Sequence, residues 1–223
     1  MPSSSSSPFV TPTAYRDNFV DRLFIALFSR KMANAIGTKL VTPGYSGFVS
    51  LSKRIMAGRT PKEQQAVVGV VLRSLVPAPV LWSIRTLFSP TRWVCESNAW
   101  FAANLFEWLV GPCEVQTADI PQADGSVKTQ ASKVQIKKCR YLEESACVGL
   151  CVNLCKVPTQ EFFTKDFGIP VTMNPNFEDL SCEMIFGQYA TPVEDDDNIQ
   201  QQPCFVDDCA IASPKAETCP NVG

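Results

Sequence analysis

Apolar residues recur at helical spacing from Tyr15 to Ala35. Phe19, Leu23, Ala26 and Leu27 form one row, widened by Val20, Phe24 and Phe28, with Asp17, Asp21, Arg22 and Arg30 on the other side. Such a stripe is read as the core-facing side of an amphipathic helix. A second short helix is expected from Gly47 to Met56. Thr60-Pro61-Lys62-Glu63 then sets an N-cap, a proline at the first helical position and a capping-box glutamate in register. That helix should run to Val76 and stop before Pro77. Pro79 to Phe88 can form another. Ser89-Pro90 repeats the start signal for a helix that carries Trp93, Trp100, Phe101, Leu105, Phe106 and Trp108 before Gly111.

Beyond Gly111 the period changes from helical to alternating. Glu114 to Ile120 reads as a strand, Asp124-Gly125 as a hairpin turn, and Ser132 to Cys139 as a strand with Val134 and Ile136 on one face. Pro158 to Phe167 reads as a short helix closed by Gly168. Ile169 to Phe177 is extended, and Pro170 and Pro175 confine it to edges or loops. Glu194 to Asp197 and the polar run to Gln202 read as a solvated acidic loop. The fold class is therefore α+β, with a mostly helical N-terminal half on a small antiparallel β element and a cysteine-rich C-terminal region. Residues 15–212 are expected to form a single domain, with 139–212 as its cysteine-rich part and 213–223 as a tail. Residues 1–14, rich in Ser and Pro, read as a flexible terminus or the stub of a transit peptide.

No segment is long enough to span a membrane. Arg73, Pro77 and Pro79 cut the apolar stretch from Ala66 to Ile84, and its longest uncharged piece has 11 residues against the ~20 required. Charge is polarised along the 223 residues. Residues 1–113 carry 12 Lys/Arg against 5 Asp/Glu, and residues 114–223 carry 8 against 17. The basic residues stand singly among apolar ones, so no nucleic-acid stripe forms. They read as solvated helix faces, or as peripheral attraction to an anionic membrane.

There is no histidine in the chain. This excludes a Ser-His-Asp triad, a Cys-His dyad, an imidazole base and a His-ligated metal. The chemistry then falls to ten cysteines, seven of them from Cys147 onward. With no secretory signal, a thiolate metal site takes precedence over a disulfide framework. Cys147, Cys151 and Cys155 share one face of a helix, each about 6 Å further along the axis. On a strand, neighbouring thiols would lie about 13 Å apart. Only a helix or an irregular loop lets two of them meet one metal centre. On an unbroken helix Cys147 and Cys155 would be about 12 Å apart, too far for one tetrahedral ion and better tolerated by a multi-iron cluster. Cys182, Cys204 or Cys209 could complete the set. The competing reading treats these thiols as small buried hydrophobes on a packed helix.

The stretch Cys139-Arg-Tyr-Leu-Glu143 leading into CVGLCVNLCKVPTQEFF resembles the plant dwarf-27 family, the plastid β-carotene isomerases of strigolactone synthesis. Gly168-Ile-Pro-Val171, NPNFEDLSCEMIFGQ at 174–188 and QPCF at 202–205 share the resemblance. So do WLVGPCEV at 108–115, RTLFSP at 85–90 and YRDNFVDRLFI at 15–25. It implies a plastid enzyme that interconverts all-trans and 9-cis carotenoids and contains iron, as an ion or an Fe-S cluster. It also implies Cys147, Cys151, Cys155, Cys182 and Cys204 as ligands, with Cys209 departing from the family's tail pattern. The expected substrate is a hydrophobic carotenoid, enclosed by Trp100, Phe101, Phe106 and Trp108. Bond rotation in a polyene requires a transient fall in bond order, which electron exchange with an iron–sulfur centre would supply. The alternative function is a non-catalytic thiolate-metal protein holding Fe-S or zinc.

Overall fold

Two helices of the helical half open on capping boxes, of which the sequence signalled the one at Thr60. Asn18 accepts from the Val20 and Asp21 amides while Asp21 reaches back to the Asn18 amide, opening α1 (Phe19–Ala35). Thr60 and Glu63 do the same for α3 (Pro61–Arg73). Between them lies α2 (Gly44–Met56). The computed structural model describes residues 13–39, 42–122 and 124–202. The expected terminus and tail, with Cys204 and Cys209, lie outside the described residues apart from Thr13 and Ala14.

α3 stops at Arg73 rather than Val76, because the Ser74 hydroxyl and amide both turn back to the last carbonyls. α4 (Ala78–Leu87) follows. α5 (Arg92–Leu105) starts two residues later than the Ser89-Pro90 signal implies, because the chain is still extended at Phe88 and Thr91 takes the cap position. α6 (Glu107–Val110) ends at Gly111, whose φ of 86° only glycine adopts freely.

The β element has four antiparallel strands in the order β1-β2-β4-β3. They are β1 (Cys113–Pro121), β2 (Val127–Ile136), β3 (Val171–Pro175) and β4 (Cys182–Phe186). The Asp124-Gly125 turn joins the first two, with Gly125 at φ 80°. β2 begins five residues before the alternation becomes apparent. β3 is an edge strand, as its prolines require, and β4 was not legible in the sequence. The small face of α5 (Val94, Cys95, Ala99, Ala102, Ala103) packs onto the sheet.

One short helix precedes the main C-terminal helix. α7 (Arg140–Ser145) ends at Ala146, held left-handed at φ 49°. From Val148 to Phe167 one helix alternates in pitch: α8 (Val148–Cys151), a π turn (Val152–Lys156), α9 (Val157–Glu161) and a second π turn (Phe162–Phe167). The predicted helix at Pro158–Phe167 is thus the last half of a longer one, closed by Gly168 at φ 76° as expected. Asn153 locks it to α3 through Gln64. Gln160 accepts from the Met173 amide and Lys156 donates to the Met173 carbonyl, which covers the free edge of β3. The acidic loop is partly ordered, as a 3-10 turn at Val193–Asp195 and α10 (Asp197–Gln200). Asp196 pairs with Lys156, which is only 2% exposed.

Candidate functional site: an apolar cavity beside a thiol cluster

α1 does not turn its expected row inward. Its buried residues are Ile25, Ser29, Met32 and Ala33, while Phe19 is 81% and Leu23 58% exposed. The flanking positions Phe24 and Phe28 meet Trp108 of α6, with ring centroids 6.2 and 4.8 Å away, and Phe48 of α2 meets the same indole edge-on. These rings form one wall of a cavity of about 490 Å³, a size typical of a small-molecule site. α3 and α4 contribute Val68, Leu72 and Ile84, and α5 contributes Phe101 and Leu105. The floor is Val134 and Ile136 of β2, Met173 and Met184 of the neighbouring strands, and Phe162, Phe163 and Phe167 of the second π turn.

No lining residue carries a charge. The polar groups are Ser52, Asn98, Thr159, the Tyr141 hydroxyl and the Trp108 indole N–H, which has no hydrogen-bond partner among the described residues, together with the thiols of Cys113 and Cys155. Asn98 spends its amide on the Val94 carbonyl and Ser52 its hydroxyl on Phe48. Such a surface, predominantly apolar and without charge, grips hydrocarbon chiefly by dispersion and shape. Leu27 and Phe101 line the cavity and are also exposed, so the mouth lies between α1 and α5.

Three of the four aromatic residues expected to enclose substrate, Phe101, Phe106 and Trp108, line this cavity. Trp100 does not: it points outward and is 64% exposed. Helical geometry explains the split, because Trp100 shares the outer face of α5 with Trp93, seven residues earlier. The strand and π-turn residues of the floor were missed. Their signal was the inward alternation of Val134 and Ile136, which places the same face of the paired β4 alongside.

Two of the cysteines, Cys113 and Cys155, line the cavity. Ala146 throws the chain into an extended conformation at Cys147, which caps α8 rather than belonging to it. The four-residue helical spacing therefore holds only for Cys151 and Cys155, and a π turn begins between them. Insertions of this kind recur at functional sites. Cys182 opens β4 opposite Ile136 and Pro175, and Cys139 caps α7. Cys151, Cys155, Cys182 and Cys139 are close enough to feel one another's charge. Burial dominates each of these thiols and pushes it up, Cys155 to about 12 and Cys139 to about 11, with Cys151 and Cys182 also well above the ordinary value. All are neutral at pH 7. The Lys156 ammonium opposes this at Cys151 and Cys182 without overcoming it. Cys113 is likewise pushed up to about 12 by burial. Cys95, Cys113, Cys139, Cys151, Cys155 and Cys182 are free thiols.

Thiol donors suit iron chemically. Their arrangement does not: among the described residues no three Cys, Asp or Glu side chains converge as a ligand set. The described part of the chain therefore does not present a closed iron site.

Residues 108–195 match the family described as beta-carotene isomerase D27-like, C-terminal. A chloroplastic beta-carotene isomerase D27 of Medicago truncatula is 39% identical over 191 residues, covering 86% of this chain and 73% of the relative. The chain belongs to the beta-carotene isomerase D27 family. A chloroplastic D27 of Arabidopsis thaliana is 34% identical over 191 residues, 85% of this chain and 70% of that protein. No solved structure matches. The D27-like region starts at the cavity residue Trp108 and contains Cys113, Cys139, Tyr141, the whole mixed-pitch helix and all of the sheet.

Proposed function

We propose that this protein is a chloroplast carotenoid isomerase that interconverts all-trans- and 9-cis-β-carotene, feeding strigolactone synthesis. The observation that carries the reading is the charge-free, aromatic-walled cavity in a chain whose relatives are named for an isomerase of a hydrocarbon. A polyene has no acid, base or hydrogen-bonding atom for the enzyme to hold, so selectivity must come from shape. A wall that fits the bent isomer and the twisted bond better than the straight one lowers the barrier to rotation. Phe24, Phe28, Trp108 and Phe163 supply that wall and exclude water. Cys155 and Tyr141 line the same cavity and would lie against the bound chain.

Iron is proposed separately, held through Cys151 together with cysteines outside the described residues, since no three described thiols converge, and no step above is routed through it. The assay is conversion of all-trans-β-carotene in detergent by the purified protein, read as isomer ratio, alongside elemental analysis. Cys151→Ala should remove the iron. Full activity in an iron-free preparation overturns the cofactor, and absence of any isomer change in an iron-replete one overturns the reaction.

A further inference from the structure

Three helices that line the cavity leave large apolar side chains in solvent. Of the ten residues of α4 only Leu81 is buried, while Trp82 is 69% and Leu87 75% exposed. On α5 the outer face carries Trp93 and Trp100, and on α1 the outer row carries Phe19, Val20, Leu23 and Leu27. These helices surround the cavity mouth, since Leu27, Ile84 and Phe101 belong to both. Isolated exposed apolar residues need no explanation, but a large patch around an apolar opening does. α3 and α4 also bend by 90° at their junction; together they are long and apolar enough for a membrane segment, although among the described residues no single helix is long and apolar enough to cross one.

The charges on the same helices are one-sided. α1, α4 and α5 carry Arg22, Arg30, Lys31, Arg85 and Arg92 against Asp21 and Glu96. Both acids are already engaged, Asp21 in its capping box and Glu96 with Arg92 and the Ala131 amide. Arg92 is paired with Glu96, but exposed tryptophan and leucine beside Arg22, Arg30, Lys31 and Arg85, none of which forms an ion pair among the described residues, is the chemistry of a helix lying in a lipid headgroup layer.

We infer that the outer faces of α1, α4 and α5 dock on an anionic lipid bilayer, with the cavity mouth turned into the acyl chains. The protein is held at the interface without crossing it. An apolar ligand then passes from the lipid into the cavity without entering water. The docking face stands on the exposed side chains alone; the transfer of carotene through it rests on the isomerase reading.

Flotation on phosphatidylcholine vesicles with and without phosphatidylglycerol tests the face in the absence of substrate. The full chain should float, and more strongly with phosphatidylglycerol. Trp82→Ala/Leu87→Ala/Trp93→Ala should reduce partitioning by about tenfold or more while leaving the melting temperature in place. The same variant should isomerise carotene in detergent as the parent does, and fall behind when the carotene is embedded in vesicles. Failure of the parent to float overturns the proposal. So does equal flotation of parent and variant, or a parent that sediments as a dimer whose association the variant abolishes. A parent that floats but isomerises nothing leaves the docking face standing and removes the proposed function instead.

Discussion

α4 and the segment from Val148 to Lys156 are both strongly apolar, and the protein treats them in opposite ways. α4 buries one residue of ten. From Val148 to Lys156 every residue except Cys155 is buried, including Asn153 and a lysine. Hydrophobicity therefore does not mark the core here. The segment from Val148 to Lys156 draws in even its polar side chains, each with a partner: Asn153 on Gln64, and Lys156 on Asp196 and Met173. The helical half presents apolar groups outward and surrounds a hollow. One region is built to hold a geometry and the other to meet a hydrocarbon.

The largest effect expected from that contrast is at Lys156. Its ammonium lies 2.7 Å from Asp196 and 2.6 Å from the Met173 carbonyl. Lys156→Met keeps the volume but strands a largely buried carboxylate and opens the β3 edge. Breaking one side of such a pair costs about 3–5 kcal/mol. Urea denaturation should show that loss. A change below about 1 kcal/mol would mean that the C-terminal half is not the rigid partner.

A smaller effect comes from the seam between N-terminal residues and α7. Burial pushes the Glu143 carboxyl up, but hydrogen bonds from Lys138, the Thr13 amide and Tyr15 outweigh it and hold the carboxyl below its ordinary 4.5. A depressed acid stabilises the fold above its unfolded-state value, and the contribution disappears as pH falls through the folded one. Glu143→Gln should therefore cost about 1.5–2 kcal/mol at pH 7. Parent and variant melting temperatures should converge below pH 4.5; a constant gap down to pH 3 would assign the loss to packing instead.

Much of the fold was legible because it is written in local signals. The Thr60–Glu63 box, the Asp124-Gly125 turn, the closing Gly168 and the edge prolines each report a backbone requirement that no distant residue can override. The π turns, β4 and the Lys156–Asp196 pair have no such signal. They arise from partners brought together only after folding, and Asp196 in sequence is simply one acid in a run of four. The site was legible in kind and only partly in place. Apolar enclosure and a thiol cluster were both expected, but Ala146 removes Cys147 from the helix that its spacing suggested, and Trp100 faces out. Periodicity gives two faces to a helix without saying which one meets the core.

α1 carries that ambiguity in its simplest form, and the smallest expected effect resolves it. Read as sequence, Phe19 and Leu23 are core residues, and their loss should cost about 2–5 kcal/mol each. In the structure the core residue is Ile25, 2% exposed, while Phe19 and Leu23 stand in solvent. Phe19→Ser/Leu23→Ser should then stay within about 0.5 kcal/mol of the parent per site, whereas Ile25→Ala should lose at least about 2 kcal/mol. A double variant as damaged as Ile25→Ala would turn α1 over and close the mouth. A double variant that is as stable as the parent, yet fails on lipid-embedded carotene, shows that the outer row exists for the membrane and not for the fold.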